Sequence, residues 1–293
     1  MAYKAEIVLD SISTAGHRLT TMLCQWPARI HWDFLMHRAF SRSVSSTRAI
    51  PAKTMMEWVS NDPFIPIHFG SNRKGMQSSA EVVADEQGAR EDWLEGLHQA
   101  IAVAQWLHQK GCHKQIVNAV LMPYMWMNVV LSGTDDAWAN FFSLRCHEDA
   151  APEVQKQAVL MMRVYDASKP VVRTSHWPFV TEDEIGQIRN AWITSKVSAA
   201  RCARTSYLTI EGKTPTVEED LALYERLAGS NPKHANPLEH PAMATLGDYT
   251  PPGNFVGWHQ FRHQIDGESA TRQTFDRKAR LALYEGRDYI LPA

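Results

Sequence analysis

The sequence predicts an α+β fold with a long helical middle. Within residues 5–26, the runs "EIVL" and "LTTML" are typical of two short strands. From residue 91 onward, apolar residues recur at the three- and four-residue spacing of an amphipathic helix. A break near residues 167–180 contains two prolines and no periodicity, and it separates the helical part from a second section.

The elements before the helical middle are less regular. The segment "ARIHWDFLMHR" (28–38) predicts a helix, whereas residues 51–80 are rich in Pro, Gly, Ser and Asn and predict mainly a loop. The strongest helix signal begins at residue 91, and Gly111 is suited to end that helix. Its apolar positions are Leu94, Leu97, Ile101, Ala104 and Leu107.

Three further helices are predicted in the middle of the chain. The second helix covers residues 114–130, the third begins at the "TDD" cap that starts with Thr134, and the fourth begins at Pro152. The linker of residues 167–180 then leads to "TEDE", a capping-box signature. A new section therefore starts near residue 181.

Composition limits the class of protein. A chain of 293 residues can bury a large core, and 44% apolar with 21% charged residues is ordinary for a soluble globular protein. The net charge of -2 argues against general nucleic-acid or membrane binding. No secretory signal is visible, and the longest apolar run is shorter than the roughly 20 residues that a bilayer requires. Four irregularly spaced cysteines indicate free thiols. We expect a cytoplasmic protein.

One stretch, "FLMHRAFSRSVSSTRAIP" (34–51), combines cations with hydroxyl groups. Guanidinium forks and short hydroxyls are the donors that bind phosphate or carboxylate groups. Taken alone, the stretch is as compatible with a frayed helix end followed by a solvated loop as it is with an anion-binding site. Its polar residues are His37, Arg38, Ser41, Arg42, Ser43, Ser45, Ser46, Thr47 and Arg48.

Two other constellations have chemical potential. "HANPLEH" (234–240) places two His and a Glu close together, but the spacing is not H-E-x-x-H, so a capped surface helix is favoured and no metal is expected. Cys146 follows Arg145, which permits an activated thiolate. A helix cysteine that points about 100° away from Arg145 is the favoured alternative. The chain contains no G-x-G-x-x-G motif and no P-loop.

Four motifs resemble those of the flavin-dependent thymidylate synthases. Residues 36–48 resemble the family signature R-H-R-x-x-S-x-N-x-x-S-x-R. "VSAARCARTSY" is similar to the S-x-x-R-x-x-R-x-S element, and "HANPLEH" is similar to H-x-T-P-F-E-H. "NFFSLRCHEDA" is similar to N-F-x-x-L-R-x-x-x-x-A. Together the four motifs cover most of the chain.

The motifs stand in an unusual order. In the family the S-x-x-R and H-x-T-P-F-E-H elements precede the signature, whereas here they come after residue 195. "NFVGWHQFRHQI" then resembles the lead into the signature a second time. We therefore predict a single domain (1–293) in circularly permuted order. It would contain a signature and nucleotide-binding part (1–166), the linker (167–180) and a flavin-binding part (181–293).

The resemblance implies a nucleotide site and a flavin site. The monophosphate would be bound by Ser45, Ser46, Thr47 and Arg48. Arg145 would be the catalytic residue, because it would lie along the base edge, select the pyrimidine and stabilise charge developing in the ring. The positions implied to contact FAD are His37, Arg38, Ser41, Asn140, Ser198, Arg201, His234, Asn236, Glu239, Arg262 and His263.

The implied reaction is transfer of a one-carbon unit from methylenetetrahydrofolate to C5 of a pyrimidine deoxynucleoside monophosphate, with dUMP to dTMP favoured. NADPH is a candidate reductant, and the family implies a homotetramer. Departures from the family pattern at Met36, Ser43, Val44 and Ala119 leave three alternatives open. These are a hydroxymethylase of dUMP or dCMP, a non-catalytic nucleotide-binding relative, and a cysteine-nucleophile synthase built on Cys146.

Overall fold

The main sheet has five strands. The computed structural model describes residues 3–75, 81–206, 215–230, 233–245 and 253–265. Within them, the strand order is β3-β4-β2-β1-β5, and every neighbouring pair is antiparallel except β1 and β5. The strands are β1 (Lys4–Ile12), β2 (Arg18–Pro27), β3 (Ser41–Val44), β4 (Trp126–Thr134) and β5 (Val171–Val172).

A second, antiparallel sheet is built from later parts of the chain. Its three strands are β6 (Ser175–His176), β7 (Ala242–Ala244) and β8 (Trp258–Gln260), in that order. Short 3₁₀ turns lie at Asn236–Glu239, just before β7, and at Phe261–Gln264, just after β8. These turns contain the "HANPLEH" residues and the second His-Arg pair.

The helices lie between and around the strands. The first four are α1 (His31–Leu35), α2 (Ala52–Asn61), α3 (Glu86–Gln109) and α4 (Lys114–Val120). The later ones are α5 (Asp135–Arg145), α6 (Pro152–Ala167), α7 (Glu182–Ile188), α8 (Ala191–Ala203) and α9 (Val217–Ala228). Capping boxes begin α7 at Thr181 and α9 at Thr216, where the side chain and backbone of each Thr pair with a Glu three residues later.

The two faces of the main sheet have different chemistry. Because side chains alternate along a strand, Met22 and Leu131 face the apolar cluster formed with α5 and α6. Their neighbours Thr21 and Ser132, which lie opposite each other in the β2–β4 ladder, face the other way. That second face is covered by the linker and the later section of the chain, through hydrogen bonds to His176 and His240 respectively.

An aromatic stack fixes α5 against α1. The rings of Trp26 and Phe34 stack with centroids 4.0 Å apart, and Phe34 lies 4.9 Å from Phe141. Burial of this much aromatic surface gives α1 and α5 a fixed mutual position.

A separate apolar cluster, which includes Leu97 and Ala104, packs α2, α3 and α4 together.

The α+β prediction is confirmed, as are the early strands and the helices that start at Thr134 and Pro152. The helix predicted over 114–130 is wrong, because α4 ends at Val120 and residues 126–134 form β4. A central strand buried on both faces gives a continuous apolar run, which periodicity does not distinguish from a buried helix.

Two shorter predictions also require correction. The prediction that residues 51–80 are mainly loop omits α2, which begins directly after Pro51, a residue suited to the start of a helix; residues 62–75 lie outside helices and named strands. The helix predicted over 28–38 is shorter, since a 3₁₀ turn (Ala28–Ile30) leads into the five-residue α1.

The predicted linker (167–180) contributes to both sheets. Its residues form β5, which pairs with β1, and β6, which pairs with β7. The division into nucleotide-binding and flavin-binding parts stays a prediction, and residues 266–293 of the latter lie outside the described ranges. None of the helices described combines the length and apolar composition needed to span a bilayer.

Gly133 permits the close packing of β4 against Phe40. A Cβ atom at this position would lie 2.6 Å from two ring carbons of Phe40, which is buried against Trp138. We expect Gly133→Ala to lower the free energy of unfolding by about 1–3 kcal/mol, because the packed ring has to move. Gly186→Ala in α7 is the control, since its Cβ would meet nothing within 4 Å. Urea unfolding measures both, and equal stability of the two variants would contradict this packing.

Candidate active site

Arg145 and His37 form a direct pair. Phe141 lies one helical turn before Arg145 on α5, and its ring packs edge-on against the His37 ring at 5.0 Å. Because residues four apart share a helix face, Arg145 lies beside the same imidazole. Its Nε donates to His37 Nε2 at 2.9 Å. The structure thus brings together the predicted base-binding residue and one predicted flavin contact.

The electrostatics of this pair are well defined. Burial and the nearby Arg145 guanidinium lower the pKa of His37, so its ring is neutral at neutral pH and accepts the hydrogen bond. Arg145 Nη1 also lies 4.0 Å from Asp33 Oδ1, and the Arg145 side chain remains 25% exposed. The guanidinium is therefore anchored at one nitrogen and accessible to a ligand.

The serine-rich stretch forms a tight turn after β3. Ser45 extends the ladder to β4, since its backbone N–H donates to the Asn128 carbonyl and its Oγ accepts from the Asn128 N–H. Ser46 Oγ accepts from the Arg48 backbone N–H at 3.2 Å. Arg48 is exposed. The turn therefore presents a guanidinium next to a hydroxyl.

Helix α4 holds this turn, a feature that sequence reasoning missed. Asn118, which is fully buried, donates from Nδ2 to the carbonyls of Thr47 at 2.8 Å and Ile50 at 3.0 Å. Lys114 Nζ donates to the Ala49 carbonyl at 3.0 Å. The only sequence signal was the position of Asn118 beside Ala119, where the family has a nucleotide-binding Arg.

A cleft of about 470 Å³ joins the two sections of the chain. One wall is the end of β3, with Ser43, Val44 and Ser46. The opposite wall carries Lys233, whose Nζ donates to the Ala228 carbonyl at the end of α9. The other lining residues are Ala203, Leu227, His234, Ala235, Asn236 and Pro237. The structure thus brings Ser46 together with His234 and Asn236, whereas their predicted contacts with phosphate and flavin stay predictions.

Ser198 and Arg201, two predicted flavin contacts, do not line this cleft. Ser198 Oγ donates to the Pro178 carbonyl at 2.8 Å. Arg201 is buried and pairs with Asp220 at 2.7 Å and with Glu184 at 2.6 Å. The hydrogen bonds from Arg201 lower the pKa of Glu184 to about 2. In this structure both residues hold α8 to its neighbours, and their flavin contact stays a prediction.

The remaining predicted flavin residues are dispersed. Arg262 pairs with Glu239, and His263 is half-buried nearby on the same 3₁₀ turn. Ser41 is buried, and its Oγ accepts from Gln260 Nε2 at 3.0 Å. Arg38 and Asn140 are exposed, and neither lines the cleft. Their cofactor contacts also stay predictions.

Two buried histidines connect the later section to the main sheet. His240 hydrogen-bonds to Ser132 through Nδ1 at 2.8 Å and to Ser43 through Nε2 at 3.0 Å. His176 hydrogen-bonds to Thr21 through Nε2 and to Ser11 through Nδ1, each at 2.8 Å. Burial lowers the pKa of each imidazole to about 3. Sequence reasoning missed His176, because a single His in an irregular segment carries no signal.

The model of the thymidylate synthase complementing protein family matches residues 10–171, which is more than half of the chain. The chain belongs to this family. Its members are flavin-dependent enzymes that modify C5 of pyrimidine nucleotides, which confirms the predicted enzyme class. The family assignment rests on these matched residues.

Two solved structures are similar to part of this chain. Both are of the UMP/dUMP methylase PolB from Streptomyces cacaoi. The complex with 5-Br dUMP is 17% identical, with a TM-score of 0.47 over 57% of this chain and 90% of that chain. The complex with 5-Br UMP is 16% identical, with a TM-score of 0.48 over 57% and 89%. No curated protein matches the sequence.

The state of Cys146 agrees with a flavin-dependent family. Its thiol is half-buried, and burial together with Asp166 raises its pKa. The protonated thiol is a poor nucleophile. Among the described residues, no group of three His, Cys, Asp or Glu side chains is arranged to hold a metal ion.

The hold of α4 on the 46–50 turn is testable. Asn118→Ala removes the amide that donates to the Thr47 and Ile50 carbonyls, so we expect a loss of about 1–3 kcal/mol in the free energy of unfolding. The Ala49 amide, which donates to Ser46, should exchange its hydrogen faster. Lys114→Ala, which removes one partly buried bond, should have a smaller effect on both. Unchanged exchange at Ala49 in Asn118→Ala would rule out this role.

Proposed function

We propose that the chain transfers a one-carbon unit from methylenetetrahydrofolate to C5 of a pyrimidine deoxynucleoside monophosphate, converting dUMP to dTMP with FAD as the cofactor. The observation that carries the proposal is the cleft that unites Ser43 and Ser46 of the signature with Lys233, His234 and Asn236. Its donors are hydroxyls, an amide and an ammonium group, a set suited to a phosphorylated ligand.

The nucleotide phosphate is assigned to the turn after β3. Ser46 lines the cleft, and Arg48 lies exposed two residues later. Ser45 and Thr47 are tied through their Asn128 and Asn118 contacts, so they fix the geometry of the turn. A turn held at several points loses little conformational entropy when it binds an anion.

Arg145 is assigned to the pyrimidine ring. Its Nε is occupied by His37, so the other guanidinium N–H groups have a defined direction. Arginine is always a donor, and it therefore favours the carbonyl oxygen of uracil over the amino group of cytosine. A cation at that oxygen would also stabilise the negative charge that the ring carries when C5 is made nucleophilic.

The wall of the cleft opposite β3 fits a flavin. FAD, when bound, supplies the redox chemistry of the reaction. We assign His234, Asn236 and Glu239 to its binding, since the first two line the cleft and the third lies on the same turn. Protonated Cys146 plays no part as a nucleophile in this assignment.

We also propose that the protein acts in the cytoplasm as a homotetramer and uses NADPH as the reductant. Exposed apolar side chains on α1, directly after α1 and beside Arg145 in the chain support association. Trp32 is 67% exposed, Met36 is 73% exposed, and Leu144 is 53% exposed. Large apolar side chains exposed near a functional residue mark an interaction surface.

Two arginine substitutions test the placement of the substrate. Arg48→Ala and Arg145→Ala should each weaken dUMP binding about thirty-fold or more, since a lost charge-assisted hydrogen bond in a desolvated site costs about 2–4 kcal/mol. FAD binding should be kept. Arg163→Ala on α6 is the matched control and should bind dUMP normally. Calorimetry measures all three, and unchanged affinity in both site variants would contradict the placement.

Product analysis tests the reaction itself. The purified protein should bind FAD, and dUMP with methylenetetrahydrofolate should give dTMP only when NADPH is present. Mass analysis with each pyrimidine monophosphate identifies substrate and product. A product heavier by CH2O, formed without NADPH, would show hydroxymethylation instead. Cys146→Ser should remain active, and its complete inactivation with an intact fold would support a thiol nucleophile.

A further inference from the structure

A continuous chain of hydrogen bonds runs from the interior of the main sheet to the cleft. Thr21 Oγ1 and Ser132 Oγ lie 2.5 Å apart and join the two histidine contacts into one line. The members, in order from the interior to the cleft, are Ser11, His176, Thr21, Ser132, His240 and Ser43. This series of hydrogen bonds, called the hydrogen-bond chain below, crosses β1, β2, β4 and β3 of the main sheet.

All bonds in this chain must point the same way. Each imidazole is buried and neutral, so it has one N–H donor and one acceptor nitrogen. Each hydroxyl has one proton. If Thr21 donates to Ser132, its proton is used and His176 must donate to Thr21. The proton of the buried Ser132 hydroxyl then goes to His240, the one other partner described for that oxygen. The reverse choice inverts every bond, so the two imidazoles adopt matching tautomers.

The two ends of the chain decide its direction. In one direction the Ser11 hydroxyl proton has no acceptor, and in the other the Ser43 proton is left over. Ser11 is 0% exposed, and His176 is the one partner described for its Oγ. Ser43 is 6% exposed and lines the cleft, where a ligand or water can accept its proton. An unsatisfied donor in the interior is the more costly arrangement.

We propose that the Ser11 hydroxyl donates to His176 Nδ1 and that both histidines carry their proton on Nε2. The Ser43 hydroxyl is thereby presented to the cleft as a hydrogen-bond donor. Its partner on the ligand is then an acceptor, a carbonyl or phosphate oxygen, and an amino group at that place is rejected. The identity of the ligand rests on the proposed function, whereas the direction of the hydrogen bonds does not.

Ser43 is the specificity-determining contact in this arrangement. His240 and His176 act as positioning residues, because they touch Ser43 or the rest of the chain but do not line the cleft. Water cannot easily replace these hydrogen bonds, since the groups between Ser11 and Ser43 are all buried. The donor role of a cleft hydroxyl is therefore fixed by Ser11 on β1, which lies three strands away from β3 in the main sheet.

Histidine tautomers in the ligand-free protein test the direction. Long-range ¹⁵N–¹H correlation spectra distinguish imidazoles protonated at Nε2 from those protonated at Nδ1. We expect the Nε2–H tautomer at both His176 and His240. The Nδ1–H tautomer at either position would overturn the proposal. The measurement needs no ligand and no activity, so it stands apart from the test of the reaction.

Binding to Ser43 variants tests the contact. Ser43→Ala should weaken dUMP binding about ten-fold, and Ser43→Thr, which keeps the hydroxyl, should restore most of the affinity. Ser13→Ala is the control, because Ser13 is also buried but its hydroxyl is not part of this series of hydrogen bonds. It accepts from the backbone N–H of His17. Equal affinity of Ser43→Ala and the wild type would overturn the contact.

Comparison of ligands identifies the acceptor. If the Ser43→Ala penalty persists with deoxyuridine, the acceptor is a base carbonyl, and if it disappears, the acceptor is a phosphate oxygen. Either result supports a donor at Ser43. A wild type that binds no dUMP, but shows Nε2–H at both histidines, would contradict the proposed function while supporting the direction of the chain.

Discussion

The hydrogen bonds of His176 and His240 to the main sheet are the constraint on which the arrangement of the chain depends. Both imidazoles are fully buried and neutral, and both nitrogens of each ring form hydrogen bonds with hydroxyls on strands of the main sheet. A buried polar group without such partners is costly. The later section can therefore cover the sheet only in the register that places Ser132 and Thr21 opposite the two rings.

That register creates the candidate site. His240 directly follows the Asn236–Glu239 turn, so its bond to Ser43 brings the turn against β3. Gln260 adds a second connection, because it donates both to Ser41 and to the Glu239 carbonyl. The cleft is thus a consequence of how two distant segments satisfy each other's polar groups. Its strand wall is held from behind by the same bonds.

The cation-rich stretch that opens the signature has a divided role. Arg42 Nη1 donates to three carbonyls at the end of α1, those of Phe34, Leu35 and His37, where helical partners are missing. Arg42 is therefore a structural residue, whereas Arg38 and Arg48 stay exposed. The density of charge in the sequence arises because one short segment both ends a helix and forms the exposed turn of the candidate site.

Much of the site was predictable from motifs, and the failures have physical causes. Ser46, His234 and Asn236 were found because their motifs are local, and the cleft joins them. Asn118 was not found, because an Asn that binds backbone carbonyls across the fold leaves no pattern in its neighbours. Strand β4 was missed because burial on both faces removes the alternation that identifies a strand.

Arg201 shows the limit of motif transfer. Its position matches a family element, yet here its guanidinium is occupied by Asp220, Glu184 and the Phe179 carbonyl. A guanidinium paired this completely when buried is costly to disturb, since removal of one partner leaves an uncompensated charge. Ala203, at the end of the same helix, lines the cleft. The element therefore contributes to the site by fixing α8, so that a motif residue can be required for ligand binding through the position of its helix.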